Sequence, residues 1–152
     1  MKLYLMQHAL AYTAEEDPER PLNPAGVTQA KAAAAGLKRL GLNFDLIITS
    51  PKRRSQQTAA LVAEAVRYPY SDIMTTEAVL PKAAPSELLE LIQAENECQK
   101  VLVVGHLPHL ANLSGHLLEG AVLRFENTGL TCIELSEQAC LEFHLTAAQL
   151  AG

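Results

Sequence analysis

Short apolar runs alternate along this chain with longer stretches of helical periodicity. Lys2-Leu3-Tyr4-Leu5-Met6 reads as a β-strand, and residues 9–22 that follow read as loop, with Glu15-Glu16-Asp17 and two prolines. Asn23-Pro24 predicts a helix start, because Asn caps well and Pro fits the first helical position. Val27, Ala30, Ala34 and Leu37 then recur at helical spacing, and Gly41 closes the segment. Asp45 to Thr49 predicts a second strand, and Ser50-Pro51 a second helix running to about Val66. A short strand is expected over Ile73–Thr76 and a third helix from Pro85-Ser86 through Leu88, Leu89 and Ile92. Val101-Leu102-Val103-Val104 is the next strand, and a fourth helix begins at Leu107-Pro108 with Leu110, Leu113, Leu117 and Leu118.

The last segment reads as a hairpin. Thr131, Ile133 and Leu135 alternate with Cys132 and Glu134; Leu141, Phe143 and Leu145 alternate with Cys140, Glu142 and His144. Strand–helix alternation implies right-handed crossovers. The expected fold is therefore α/β, a three-layer αβα sandwich with a mostly parallel sheet and an antiparallel C-terminal edge. With 152 residues and no linker or repeat, residues 1–152 are expected to form one domain.

Composition narrows the function. The chain is 49% hydrophobic and carries a net charge of -5. No basic surplus exists to neutralise a long phosphate backbone or an anionic membrane, so neither nucleic acid nor membrane is an expected partner. Cys98, Cys132 and Cys140 are odd in number, lack metal-type spacing, and are expected to be buried small hydrophobes in a reducing compartment. No signal peptide or membrane span is visible, which gives a cytoplasmic expectation.

Chemistry gathers at the ends of the predicted strands. His8 and His106 each follow an apolar run, at the carboxyl edge where open α/β sheets bind ligands. Ser50-Pro51-Lys52-Arg53-Arg54 follows another, with Ser50 as the expected helix cap. Three cations at a helix N-terminus oppose the macrodipole, and become reasonable where an anion such as phosphate sits in front of them. Arg offers a planar fork for two phosphate oxygens. Gly105 before His106 is read as permitting a tight turn and close approach of a ligand to the backbone. His109, Asn112 and His116 form a polar stripe on the fourth helix; His109 is expected at the pocket rim, and His144 on an outer face with no role.

These motifs, in this order, resemble the histidine phosphatase superfamily, the phosphoglycerate-mutase-like fold, and within it the small SixA-type phosphohistidine phosphatases. The family's Arg-His-Gly appears as Gln7-His8-Ala9. Its Arg-Pro-Leu-Thr-x-x-Gly segment appears as Arg20 to Gly26, leading to Gln29-Ala30. Its Ser-Pro-x-x-Arg-Ala-x-Gln-Thr motif appears as Ser50 to Thr58, with Ser55 for Ala. Its late Gly-His appears as Gly105-His106.

The resemblance implies that His8 is the nucleophile and is transiently phosphorylated, that His106 hydrogen-bonds the transferring phosphoryl oxygens, and that Arg54 clamps them. Gln7, Ser50, Arg20 and Gly105 are the implied substrate-binding set, with no metal or cofactor. Gln7 removes a charge from the family's clamp, for which Arg20, Arg53 or Lys52 are available to compensate. Ala9 adds a methyl beside the nucleophile. Larger members use a Glu as general acid, and Glu77 is the candidate in this chain. Without its surrounding glycine pattern, a phosphoramidate-like leaving group is favoured over an alkoxide. The expected activity is hydrolysis of phosphohistidine, or a similar labile phosphoryl group, on a protein partner. The short chain, without insertions to roof a deep pocket, suits such a partner by family analogy. The alternatives are a catalytically weak phospho-binding module and a phosphatase for small phosphoesters.

Overall fold

A computed structural model of the chain describes residues 1–152. Six strands and four helices follow one another in the expected order, and a fifth short helix, not expected from the sequence, closes the chain. They are β1 (Lys2–Gln7), α1 (Pro24–Arg39), β2 (Leu46–Thr49), α2 (Arg53–Ala65), β3 (Met74–Thr75), α3 (Pro85–Ala94), β4 (Lys100–Gly105), α4 (His109–Leu117), β5 (Leu130–Glu134), β6 (Cys140–Leu145) and α5 (Ala147–Ala151). The sheet runs β3-β2-β4-β1-β5-β6. Its first four strands are parallel, and β5 and β6 are antiparallel.

Side-chain alternation along the central strands builds two cores. Tyr4, Met6, Ile47, Leu102 and Val104 point toward α1, α2 and α5 and meet Ala34, Leu37, Val62 and Leu150. Leu3, Leu5, Ile48, Val101 and Val103 point the other way and meet Leu88 and Ile92 of α3 and Leu110 and Leu113 of α4. Because both faces are covered, these strands are continuous apolar runs between their polar ends, as is usual for parallel strands in a sandwich. The chain is a three-layer αβα sandwich with an antiparallel edge.

Local chemistry explains the helix ends. Asn23 caps α1, its side-chain oxygen accepting the Gly26 N–H at 2.7 Å, with Pro24 in the first turn. Gly26 is required by a close approach: a Cβ there would collide with the carbonyl oxygen of Leu10. The loop after β1 is thereby laid directly on α1.

Four local expectations are corrected. The second helix starts at Arg53 rather than Ser50, with Lys52 at the cap position, because the Ser50 hydroxyl is drawn to a histidine across the sheet edge. Leu141 does not share a face with Phe143 and Leu145. A bulge in the β5–β6 pairing sets Leu141 opposite Ile133 and Phe143 opposite Cys132, which shifts the alternation by one residue. His144 is not on an idle outer face. Its ring pairs with Thr131 Oγ1 at 2.7 Å, and Nε2 donates to the Arg124 carbonyl at 3.0 Å. Of the cysteines only Cys132 is buried; Cys98 is half-buried and Cys140 exposed on the edge strand.

Candidate active site

Strand order brings the sequence-distant residues together. β2, β4 and β1 are neighbours, and the residues just past their carboxyl ends are Ser50, His106 and His8. Gln7 is in register with Gly105, so the two histidines leave the sheet side by side, ring centroids 5.1 Å apart. Both are buried.

His8 is held from three sides. Its N–H donates to the Gly105 carbonyl at 3.0 Å, and its own carbonyl accepts from Asn127 Nδ2 at 2.7 Å. Its ring Nδ1 lies 2.7 Å from the carbonyl oxygen of Ala9. A carbonyl only accepts, so Nδ1 carries the proton and the lone pair resides on Nε2. Burial, with the charges of Arg54 and Arg20 adding to it, depresses the His8 pKa from 6.5 to about 4. Near neutral pH the ring is a neutral base.

His106 is anchored by the Ser50 hydroxyl, 2.6 Å from its Nε2. The same hydroxyl oxygen accepts the Lys52 N–H at 3.2 Å. Burial, with the neighbouring His8 and the charges of Arg54 and Lys52, lowers the His106 pKa to about 3.

A cavity of about 330 Å³ opens over these rings, lined by Gln7, His8, Arg20, Arg54, His106 and Asn127, with Leu10, Ala11 and Leu107 at its walls. No carboxylate lines it and neither arginine makes a salt bridge. Three buried polar atoms among the lining residues have no hydrogen-bond partner: Gln7 Oε1, Arg54 Nε and His106 Nδ1. Arg20 sits at a positive φ of 49° with its Nε donating to the Tyr12 carbonyl at 3.0 Å. This is a strained conformation kept where a side chain must be aimed. The arrangement is cationic, donor-rich and paired with a neutral imidazole base, which is what an incoming phosphoryl group requires.

The family model described as histidine phosphatase superfamily (branch 1) matches residues 3–77. An uncharacterized protein of Picosynechococcus sp. strain PCC 7002 is 33% identical over 115 residues, 72% of this chain and 68% of that protein. This chain belongs to the histidine phosphatase superfamily. The superfamily's phosphohistidine phosphatase SixA of Escherichia coli K12 is 28% identical over 145 residues, 90% of this chain and 87% of that protein. The solved structure of a protein histidine phosphatase SixA complexed with tungstate shares the fold with a TM-score of 0.89, covering 99% of both chains at 24% identity.

Within this superfamily fold, the motif residues divide into those that line the cavity and those that build it. Gln7, His8, Arg20, Arg54 and His106 line it; Ser50 and Gly105 do not. Ser50 is fully buried and serves His106. Gly105 ends β4 without a tight turn, and the group that approaches it is protein: a Cβ there would stand 2.8 Å from Val79 Cγ1. Glu77 is exposed, on the single 3-10 turn Glu77–Val79, and is absent from the lining. Lys52 and Arg53 also lie outside the cavity, so Arg20 is the cation left to offset Gln7. His109 does not reach the rim; it is fully buried, and its pKa is lowered by that burial. Ala9 packs with Leu22 and Ala30 at an ordinary negative φ, so its methyl strains nothing.

Several motif residues have jobs that spacing does not reveal. Thr58 accepts the Ala9 N–H at 3.0 Å and donates to the Arg54 carbonyl at 2.8 Å, tying the loop after His8 to the arginine's helix. Gln29 accepts the Leu10 N–H at 3.0 Å and Gln57 the Leu22 N–H at 2.7 Å. Ser55, where the family has Ala, donates to the Val104 carbonyl at 2.8 Å and stands 2.7 Å from Thr49 Oγ1. Asn127 carries no sequence signal: it lies in irregular chain before β5 with no motif around it.

Proposed function

We propose that this phosphatase of the histidine phosphatase superfamily hydrolyses phosphohistidine, or a similarly labile phosphoryl group, on a cytoplasmic protein, with residues 1–152 acting as one domain. The observation that carries the reading is the lining of the cavity: two neutral imidazoles, two arginines and no carboxyl group. Nε2 of His8 attacks phosphorus in line while the bond from phosphorus to the substrate nitrogen breaks. Arg54, Arg20 and Nδ1–H of His106 hold the equatorial oxygens, which carry the developing charge. The departing nitrogen keeps the electron pair within an imidazole whose other nitrogen is protonated, so it leaves neutral and needs no acid. An alkoxide would need one.

The second step follows the same logic. Water attacks phospho-His8, its surplus proton passing to solvent, and the bond from phosphorus to Nε2 breaks. The Ala9 carbonyl keeps the proton on Nδ1 throughout, so His8 also departs as a neutral imidazole. The tungstate bound by the SixA structure is a phosphate-like oxyanion, which supports an oxyanion site in this cavity.

The test is to offer the protein a phosphohistidine-bearing protein, aryl phosphates and sugar phosphates in parallel. We expect turnover of the phosphoprotein, slow or no turnover of sugar phosphates, and an acid-labile phosphoenzyme that is lost in His8→Ala. Sugar-phosphate hydrolysis of comparable rate, abolished in Glu77→Gln, would establish a phosphoester enzyme instead. Binding without turnover or phosphoenzyme would establish a phospho-binding module, with Gln7 as its cause.

A further inference from the structure

A second depression of about 520 Å³ adjoins the phosphoryl cavity and shares Arg20 and Arg54 with it. Its other charged and polar lining is Lys52, Arg53, Gln56 and one carboxylate, Glu19. Four of the chain's twelve Lys and Arg residues therefore meet at one groove, in a molecule whose net charge is -5. That concentration runs against the rest of the surface.

The cations are not there for the fold. Lys52 and Arg53 are exposed, and they occupy the start of the 13-residue helix α2, which has no acidic residue in its first turn. Cations at that end oppose the helix dipole. Lys52 has no salt-bridge partner, and Arg53 pairs only with Glu19 at 3.1 Å, both side chains more than half exposed. Such a pair is weak and easily exchanged. Of the neighbouring acidic loop only Glu19 lines the groove. Glu16 accepts its own loop's Thr13 N–H, and Asp17 the Glu19 N–H, each at 3.0 Å.

We propose that this groove docks an acidic polypeptide segment next to the phosphorylated side chain of the protein substrate. The proposal rests on the protein-substrate reading above. A phosphorylated side chain inserted over His8 leaves its own backbone at the mouth shared by Arg20 and Arg54. Neighbouring carboxylates then reach Lys52 and Arg53, with Glu19 displaced. A nucleic acid fits less well, because no aromatic side chain lines the groove for base stacking. Binding of this type acts on encounter and KM, and weakens with salt.

The experiment has two arms. In the first, wild type and the Lys52→Ala/Arg53→Ala variant hydrolyse two phosphohistidine peptides, one flanked by Glu and Asp and one by neutral residues, and also phosphoramidate. Wild type is expected to prefer the acidic peptide by about tenfold in KM, the preference fading as ionic strength rises. The variant is expected to lose that preference and to hydrolyse phosphoramidate as wild type does. In the second, fluorescence anisotropy on His8→Ala protein compares an unphosphorylated Glu/Asp-rich peptide, a neutral peptide and a single-stranded oligonucleotide of equal charge. Tighter binding of the acidic peptide, lost when Lys52→Ala/Arg53→Ala is added, supports the proposal even if no phosphohistidine peptide is turned over, an outcome that would overturn only the substrate reading. Equal binding of acidic and neutral peptides, or tighter binding of the oligonucleotide, overturns the groove assignment.

Discussion

The hydroxyl of Ser50 stands 2.6 Å from Nε2 of His106, joining the ends of β2 and β4 across the floor of the cavity. Both residues are essentially buried, so the bond has no water to replace it. It orients one ring against the other: with Nε2 occupied by Ser50, only Nδ1 of His106 remains for a phosphoryl oxygen.

Ser50→Ala should therefore act on rate before affinity for product. Removing a buried partner typically costs about 1–3 kcal/mol. We expect urea unfolding to show a loss in that range, and kcat to fall about tenfold as His106 loses its orientation. Unchanged kcat in a folded Ser50→Ala protein would mean that Ser50 is only a structural hydroxyl.

Gln7→Arg should raise kcat/KM about tenfold, because a hydrogen bond from a charged group is worth more than a neutral one by about 1–1.5 kcal/mol. The same change places a third cation beside Arg20 and Arg54, where no carboxylate is present. Without ligand the variant should melt below wild type, and added phosphate should raise its Tm more than it raises that of wild type. A calorimetric phosphate titration reads both effects.

Protonation of the two histidines sets the acid limit. Well above pH 6.5 both are neutral in folded and unfolded chains alike. Below it the unfolded histidines take up protons that folded His8 refuses until about pH 4 and folded His106 until about pH 3. Stability must fall across that window as pH drops. The ring signals of both histidines in NMR should stay those of the neutral form at pH 5.5, with no titration near 6.5. A shift of those signals centred near 6.5 would show that the rings titrate as if exposed.

Gly105→Ala should be tolerated by the cavity and resisted by the core. Its methyl meets Val79 Cγ1 at 2.8 Å, an overpacking that costs about 1–3 kcal/mol. Val79→Ala should restore part of the loss, so the double-mutant cycle should show a favourable coupling. Additive effects would place the clash elsewhere.

Much of this molecule is legible in its order of residues. Short continuous apolar runs mark the central strands, alternation marks the C-terminal hairpin, and Asn23-Pro24 marks the start of α1, because these signals act over a few residues of chain. The family motifs likewise place His8 and His106 at strand ends and Arg54 in the first turn of α2. Such signals stop where a group answers to a partner far along the chain. Ser50 looks like a helix cap by spacing and is drawn instead to a ring 56 residues away. Gly105 looks like a turn and is small for the sake of Val79. His109 looks like part of a polar stripe and is fully buried between layers.

The sequence by itself determined the element order, the αβα class and the residue types able to hold and attack a phosphoryl group, since each depends on local periodicity or on side-chain chemistry. Only the tertiary structure decided which strand ends are neighbours, and so which residues line the cavity. It fixed the proton on Nδ1 of His8 through the Ala9 carbonyl, recruited Asn127 and excluded Glu77 from the lining. The reason is physical: hydrogen bonds and burial between distant segments are settled by packing, and packing leaves no mark on spacing.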